Sequence, residues 1–562
     1  MSVIGQDYGV GNRRAGLDLV EVDDGNFDYN EKVLVETSQK HFRDYWIRPV
    51  GGVVNQEGPF IFMIEPMTDR YLQLNRACLE IKCKVVRQDG SDLGWNDIVA
   101  PVNLLGAVMW ESVNVHLNGH PFKGASAINA GYKAIIETML SYDSDARDTH
   151  LKAQFLELDS PYRYSDMHIS QETIKRIFYE AITDNLVTPP QFPQEYLPYD
   201  YKAGDEIPVP TPLELANLQT VDEDDELLPM VKGEESLVDY RERAKQLSEL
   251  QKRKKVVDLY RQYFIEKVVT MGQWKTVMAA GGNPTNIGYE NRFGVVRRSA
   301  PFDMYVPITH DFFKLNNHIG PGNRIEIRLA MYPHSFLLNT YLDVFNYKLQ
   351  ILDMKLHLRT IERREKIPIP LKETYQMSET QLHRQIVGQG LPSITFRIHN
   401  GGVMPKTIIV AMVTTKAAEG SYSYNPFYFH HFDCERMALV INGETYPTDG
   451  LHFDFGATNP LVSRAYKWMY ENTGASEGDK GNIVHWSAFQ AGSFIVPFDL
   501  TPDKCNGIHN HNAEHGFIDL QLSFQRPLPV PIYVLYELVF PKVVINDKIT
   551  NTVLSLDIDV GR

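Results

Sequence analysis

The stretch Gly492-Ser493-Phe494-Ile495-Val496-Pro497-Phe498-Asp499-Leu500-Thr501-Pro502-Asp503 holds the grammar of the whole chain. A short apolar run with alternating rings stops at an acid, a threonine and a proline, residues that bond nearby backbone or cannot extend a sheet. A polar loop follows, then Gly516–Phe524, and then the run Ile532-Tyr533-Val534-Leu535-Tyr536-Glu537-Leu538 behind Leu528-Pro529-Val530-Pro531. Strand, terminator, loop, strand, loop, strand is the signature of an antiparallel β-protein.

Working outward, the same grammar covers most of the chain. Cys78-Leu79-Glu80-Ile81-Lys82-Cys83-Lys84-Val85-Val86 alternates apolar and polar, as a strand with one buried face must. Further runs are predicted as strands at 42–47, 59–64, 71–74, 113–119, 267–271, 293–297, 325–329, 347–352 and 355–359. A second array has runs at 393–398, 407–413, 437–443, 494–498, 516–524 and 532–538. Helical spacing is rare. It is found from Ala127 to Ser141, where Ile128, Tyr132, Ile135, Ile136 and Met139 recur at three- and four-residue steps, and from Leu461 to Tyr470. Each array has a strand that exits through Asn-Gly, at Asn118-Gly119 and Asn442-Gly443, followed by a helix, a long loop and more strands. This is a repeat of structure about 300 residues apart, with no repeat of sequence.

These elements divide the chain into an N-terminal arm (1–40), a first β-domain (41–362), a second (363–540) and a C-terminal arm (541–562), joined by the basic, proline-marked link Ile361–Pro370. Residues 165–265 break the pattern. They carry Pro189, Pro190, Pro193 and Pro198, the acidic run Asp222–Glu226, a charged helical segment from Glu234 to about Phe264 and the basic run Lys252–Lys255, and are predicted to be a peripheral insertion in a loop of the first domain, dispensable for folding. The fold class predicted is all-β: two consecutive jelly-roll sandwiches with short helices and a large insertion in the first.

Composition narrows the function. With 56 basic and 71 acidic residues, the net charge of −15 argues against a surface that grips nucleic acid throughout. The four cysteines (Cys78, Cys83, Cys434, Cys505) include no Cys-x-x-Cys pair, and are expected as reduced thiols. On one strand Cys78 and Cys83, five apart, face opposite sides. No apolar run reaches the ~20 residues that span a bilayer, the start lacks the pattern of a secretory leader, and position 2 is Ser, so no membrane anchor is expected.

Candidate sites are few. His509, His511 and His515 look like zinc ligands, but sit in a loop rich in Asn506, Gly507, Asn510 and Asn512. His430, His431, Asp433 and Cys434 resemble a thiol–imidazole pair, yet neighbours on a strand point opposite ways. Gly281-Gly282 and Gly401-Gly402 are predicted as turns, not phosphate cradles. Tyr422, Tyr424, Phe427, Tyr428 and Phe429 could stack on a sugar or form core. Asp222–Glu226 is a run of acids, not two opposed carboxylates, and makes a poor hydrolase site. No catalytic, cofactor-binding or metal site is therefore expected.

The ordered landmarks Leu391–Phe396, Met404–Val410, Asn425-Pro426-Phe427, Val440–Glu444, Arg464-Ala465-Tyr466 and Phe498–Asp503 resemble the double jelly-roll major capsid proteins of Polinton, adintovirus and virophage-like DNA viruses. In the first half, Asn103-Leu104-Leu105, Val113–Gly119, Gly131–Tyr142 and Thr149-His150-Leu151 are similar too, so the resemblance spans roughly 40–170 and 370–550. The chain departs from the family's pattern at Tyr536-Glu537-Leu538, where tyrosine, alanine and glutamate are usual, and at the insertion. The resemblance implies a non-enzymatic capsid protein that self-assembles as pseudo-hexameric homotrimers tiling an icosahedral shell around DNA. It implies neighbouring capsomers, penton and minor or cement proteins as partners, with the genome at the inner face. The location it implies is the virion, assembled in the host cytoplasm or nucleus. The alternatives are a minor capsid or receptor- or carbohydrate-binding jelly-roll protein, and a β-sandwich hydrolase.

Overall fold

The computed structural model describes residues 38–184 and 286–557, apart from 54–57, 122–128, 165–166, 168, 341–345, 366–367, 369, 457–459, 476–480, 505–510 and 551. Between those spans it describes 186, 245, 253–254 and 256–260. The expected arm up to residue 37, the strand at 267–271, Gly281-Gly282, the proline stretch, Asp222–Glu226, Lys252, Lys255 and His509 lie outside the described residues.

In chain order the first half runs β1 (Gln39–Ile47), β2 (Phe60–Ile64), β3 (Tyr71–Arg87), a short β4 (Ala100–Pro101), β5 (Trp110–Leu117), β6 (His120–Pro121), β7 (Phe302–Pro307), β8 (Ile325–Met331), a short β9 (Leu338–Asn339) and β10 (Tyr347–Arg363). β4 and β9 pair only with each other; the remaining eight strands form sheets of order β1-β10-β3-β7 and β2-β8-β5-β6. The second half runs β11 (Lys372–Val387), β12 (Ser393–Val403), β13 (Thr407–Thr414), β14 (Cys434–Ile441), β15 (Glu444–His452), β16 (Ile495–Asp499), β17 (His515–Phe524), β18 (Ile532–Asp547) and β19 (Thr552–Asp557). Its sheets have the order β11-β18-β13-β16 and β12-β17-β14-β15, with β19 added on β18. Counting eight strands in each half, both read 1-8-3-6 and 2-7-4-5. This is the jelly roll, in which the chain crosses between sheets at every step except the hairpin between fourth and fifth strand.

Alternation places the core. Along β3, Leu79, Ile81, Cys83 and Val85 are buried, whereas Cys78, Glu80, Lys82 and Lys84 face outward or are half-covered, so the two cysteines do face opposite ways. In the 1-8-3-6 sheet, strands 1 and 3 run antiparallel to 8 and 6. The connections 1–2, 3–4, 5–6 and 7–8 therefore gather at one end of the roll. The 5–6 connection is the long one in both halves: 122–301 carries the helices Ala130–Ser141, Gln171–Thr183 and Ile287–Val296, and 453–494 carries Ser463–Glu471.

The two Asn-Gly exits are the same device twice. Asn118 and Gly119 have φ of 53° and 84°, and Asn442 and Gly443 of 50° and 95°, the paired left-handed conformations of a type I′ hairpin between strands 4 and 5. In each roll the asparagine then bonds the seventh strand by two routes. The Asn118 amide donates to Arg324 O (2.8 Å) while its Oδ1 accepts from Arg324 N (2.9 Å). Asn442 makes the same pair with Phe517, at 3.0 and 2.9 Å.

Four expectations are corrected. Phe293–Arg297 is not a strand: Tyr289, Phe293 and Val296 are buried at helical steps, and the Asn286 side chain caps the helix Ile287–Val296. Gly401-Gly402 makes no turn but a bulge in β12, where the register slips between Asn400 and Val403. The segment 541–557 is no free arm; β18 continues to Asp547 and pairs with β19. The insertion is not peripheral where it is described, because Ile174, Ile177, Ala181 and Ile182 are buried and Glu180 pairs with Arg297.

Candidate functional site

The candidate residues from the sequence do not converge. His511 pairs with Asp503 at 2.9 Å and His515 stands exposed at the head of β17; the described residues hold no group of three or more His, Cys, Asp or Glu able to bind a metal. His430 and His431 are not on a strand. They lie in the loop before β14 and stack on each other, ring centroids 4.4 Å apart, because Phe432 and Asp433 take left-handed φ. Each imidazole Nδ1 accepts a backbone N–H two residues on, from Phe432 (2.7 Å) and Asp433 (3.0 Å). Burial, with the neighbouring His430, pushes His431 down to about 3, and burial pushes the Cys434 thiol up. A neutral imidazole and a protonated thiol do not make a nucleophile.

The aromatic segment is structural except at Tyr424, which is exposed with Lys416 over its ring at 5.8 Å. Phe427 and Phe429 are buried, and Phe427 meets Tyr132 and Phe336 of the first roll edge to face at 5.6 Å each. Tyr428 stacks on Tyr164, and Tyr422 donates its hydroxyl to Tyr347 O at 2.6 Å. Gly492 lies against Tyr164 so closely that an added Cβ would sit 2.2 Å from the ring. These residues belong to the joint between the rolls.

Three buried polar clusters complete the joint. In the first, Lys133 of the helix Ala130–Ser141 is ion-paired to Asp311, whose Oδ2 accepts the Thr380 amide of β11 at 2.8 Å. Burial pulls the Lys133 pKa down, but Glu137 and Asp311 outweigh it and hold the ammonium above the ordinary lysine range. Glu537 of β18 joins the cluster; burial and then Glu137 push it up to about 8, and its Oε2 has no hydrogen-bond partner among the described residues. In the second, Glu373 accepts from Asn323 (2.9 Å), Asn546 (2.9 Å), Tyr375 (2.8 Å) and Lys548 (2.7 Å). In the third, Asp159 accepts from Arg292 (2.7 Å), Asn286 (2.8 Å) and Asn425 (3.1 Å). Buried charges are tolerated only when paired and bonded. Each cluster takes members from both rolls, so the joint holds them in one register.

The fold and its joint define a class: a double jelly-roll protein whose rolls form one body. No protein-family model matches the sequence, and no curated protein matches it. Among solved structures the chain is similar to one from the Sputnik virophage determined by cryo-EM, with 11% identity, a TM-score of 0.49, and 97% of this chain and 94% of that one covered. It is also similar to the mavirus major capsid protein (9% identity, TM-score 0.45, 98% and 97% covered) and to the Faustovirus major capsid protein (8%, 0.44, 93% and 94%).

Proposed function

We propose that this chain is the major capsid protein of a DNA virus, a structural tile that self-assembles as pseudo-hexameric trimers in an icosahedral shell. One observation carries the reading: two jelly rolls of identical strand order, locked side by side in one chain. Three such chains supply six like rolls under threefold symmetry, a near-hexagonal block. The ordered landmarks from Leu391 to Asp503 support the same reading. Its partners are then neighbouring capsomers, penton and minor capsid proteins, and the genome at the inner face. No catalytic, cofactor or metal role is assigned. Burial of Phe427 and Phe429 in the joint leaves Tyr424 as the exposed ring of the candidate sugar platform, which favours the capsid reading over the sugar-binding one. Electron microscopy of the purified chain tests the proposal: hexagonal trimers or shells are expected, and monomers with glycan affinity would refute it.

A further inference from the structure

An exposed strand edge invites another strand, because its N–H and C=O groups lack partners, and proteins blunt such edges with prolines, charges and bulges. This chain does so around both rolls. Pro121 lies in β6, Pro307 in β7, Pro447 in β15 and Pro497 in β16. β12 slips register twice against β17, and β1 carries Lys40 at its own slip. β19 has none of these devices. Its sequence, Thr552-Val553-Leu554-Ser555-Leu556-Asp557, holds no Lys, Arg or Pro, and it pairs with β18 residue for residue without a slip. Among the described residues no strand lies on its other side.

The open edge is built and anchored. β18 leaves β13 after Val539 and runs on to Asp547, at the end of the roll opposite the 5–6 connection. The turn into β19 is fixed by Asp547, whose Oδ1 accepts the amides of Ile549 (2.9 Å) and Thr550 (3.3 Å). The first roll holds the hairpin down: Asn546 donates to Asn323 Oδ1 and Lys548 to Pro321 O, both at 2.8 Å. Pairing sets Ile545 beside Leu554 and Val543 beside Leu556, on one face of the hairpin. Leu554 is 52% exposed, Leu556 46%, and Ile549 at the turn 72%. An aliphatic patch therefore borders an unpaired backbone edge.

We propose that the free edge of β19 pairs antiparallel with β19 of a second copy of this chain. The edge is complementary to itself. A twofold axis normal to the sheet continues each face of one copy into the same face of the other, so the two aliphatic patches merge while the backbone edges satisfy each other. With Ser555 of both chains on the axis, residues 553–557 pair and each Leu554 meets the other chain's Leu556. The sheet then runs unbroken from β11, β18 and β19 of one copy into those of the next. A twofold contact cannot lie inside a threefold trimer, so it ties one trimer to its neighbour. The inference rests on the capsid reading and names a contact between tiles. Blunted edges elsewhere and one open edge here suit a protein that meets its own copies at a single address.

Sedimentation velocity of the full-length chain over a concentration series, beside thermal melting, tests the inference. Leu554→Lys/Leu556→Lys alters exposed side chains, so it is expected to melt and to trimerise as the wild type does. Wild-type trimers are expected to join into pairs and larger particles, whereas the variant stays at single trimers at about ten times the concentration at which the wild type associates. Ser555→Cys, oxidised, is expected to give two-chain species on a denaturing gel and trimers joined to one another in sedimentation, with neither from the wild type. Wild-type trimers that never associate, a variant that associates as the wild type does, or cross-links confined to single trimers would each overturn the contact and leave the capsid reading standing. So would hydrogen-exchange protection of the 553–557 amides in the variant trimer that vanishes on deletion of 1–37, which would give the edge to the chain's own arm. A Ser555→Cys chain that cross-links in pairs yet never trimerises would keep the contact and overturn the capsid reading.

Discussion

Glu537 makes the stability of the joint depend on pH. The residue is 1% exposed, one carboxyl oxygen lacks a partner among the described residues, and burial followed by the charge of Glu137 lifts its pKa from 4.5 to about 8. In the unfolded chain the group ionises near its ordinary value. Between those two pH values the folded chain keeps a proton that the unfolded chain has released. The folded state therefore has its full stability below the unfolded pKa and loses it as pH rises through the folded one. At about 1.4 kcal/mol per unit, a shift of this size corresponds to roughly 3–6 kcal/mol lost by about pH 9. Glu537→Gln keeps the shape of the side chain and removes the ionisation. Unfolding free energies of both proteins, taken by denaturant titration from about pH 5 to about pH 9, yield a difference in which the other titrating groups cancel. That difference is expected to drift by several kcal/mol in favour of the variant as pH rises. A difference that stays flat across the range would refute the buried, unpartnered carboxyl and with it this description of the joint.

Phe498 is wholly buried, its ring beside Tyr446 and Trp468, so Phe498→Ala should cost about 3–5 kcal/mol in chemical denaturation, while Asp503→Ala, at an exposed pair with His511, should change stability by less than about 1 kcal/mol. Asn442→Ala should cost about 1–2 kcal/mol, and Asn442→Gly less, because glycine keeps the left-handed turn and loses only the bond to Phe517; equal losses in the two variants would argue against the turn's role. Deleting 175–255 removes Ile177, Ala181 and Ile182 from the core and Glu180 from Arg297, so insoluble protein is expected on expression, and a soluble trimer would count against the packing described.

Much of the fold could be read locally. The alternation of β3, the two Asn-Gly turns and the Phe-Asp-Leu-Thr-Pro-Asp stop are signals within a few residues of one another. The stop behaves as its residue types imply: Asp499 Oδ1 accepts the Thr501 amide at 2.9 Å, and Pro497, which has no amide to donate, lies on an edge strand where the Trp468 indole donates to its carbonyl. The helix Ile287–Val296 was missed because Val295-Val296 is a β-branched pair, though Asn286 and the spacing of Tyr289, Phe293 and Val296 carried a helical signal. The joint was not legible. Lys133 and Asp311 are 178 residues apart, and Glu373 and Asn546 are 173 apart. The only sequence signals were single charges inside apolar runs, Lys133 among Tyr132, Ala134 and Ile135, and Glu537 between Tyr536 and Leu538. A lone charge in such a run marks a buried partner without naming it.

The central claim is that two like rolls in one rigid chain form the unit of a threefold tile. Analytical ultracentrifugation of the full-length chain at micromolar concentration, with images of the same sample, measures it directly. A particle near three times 64.3 kDa with a hexagonal outline is expected. A stable, homogeneous monomer at that concentration would contradict it.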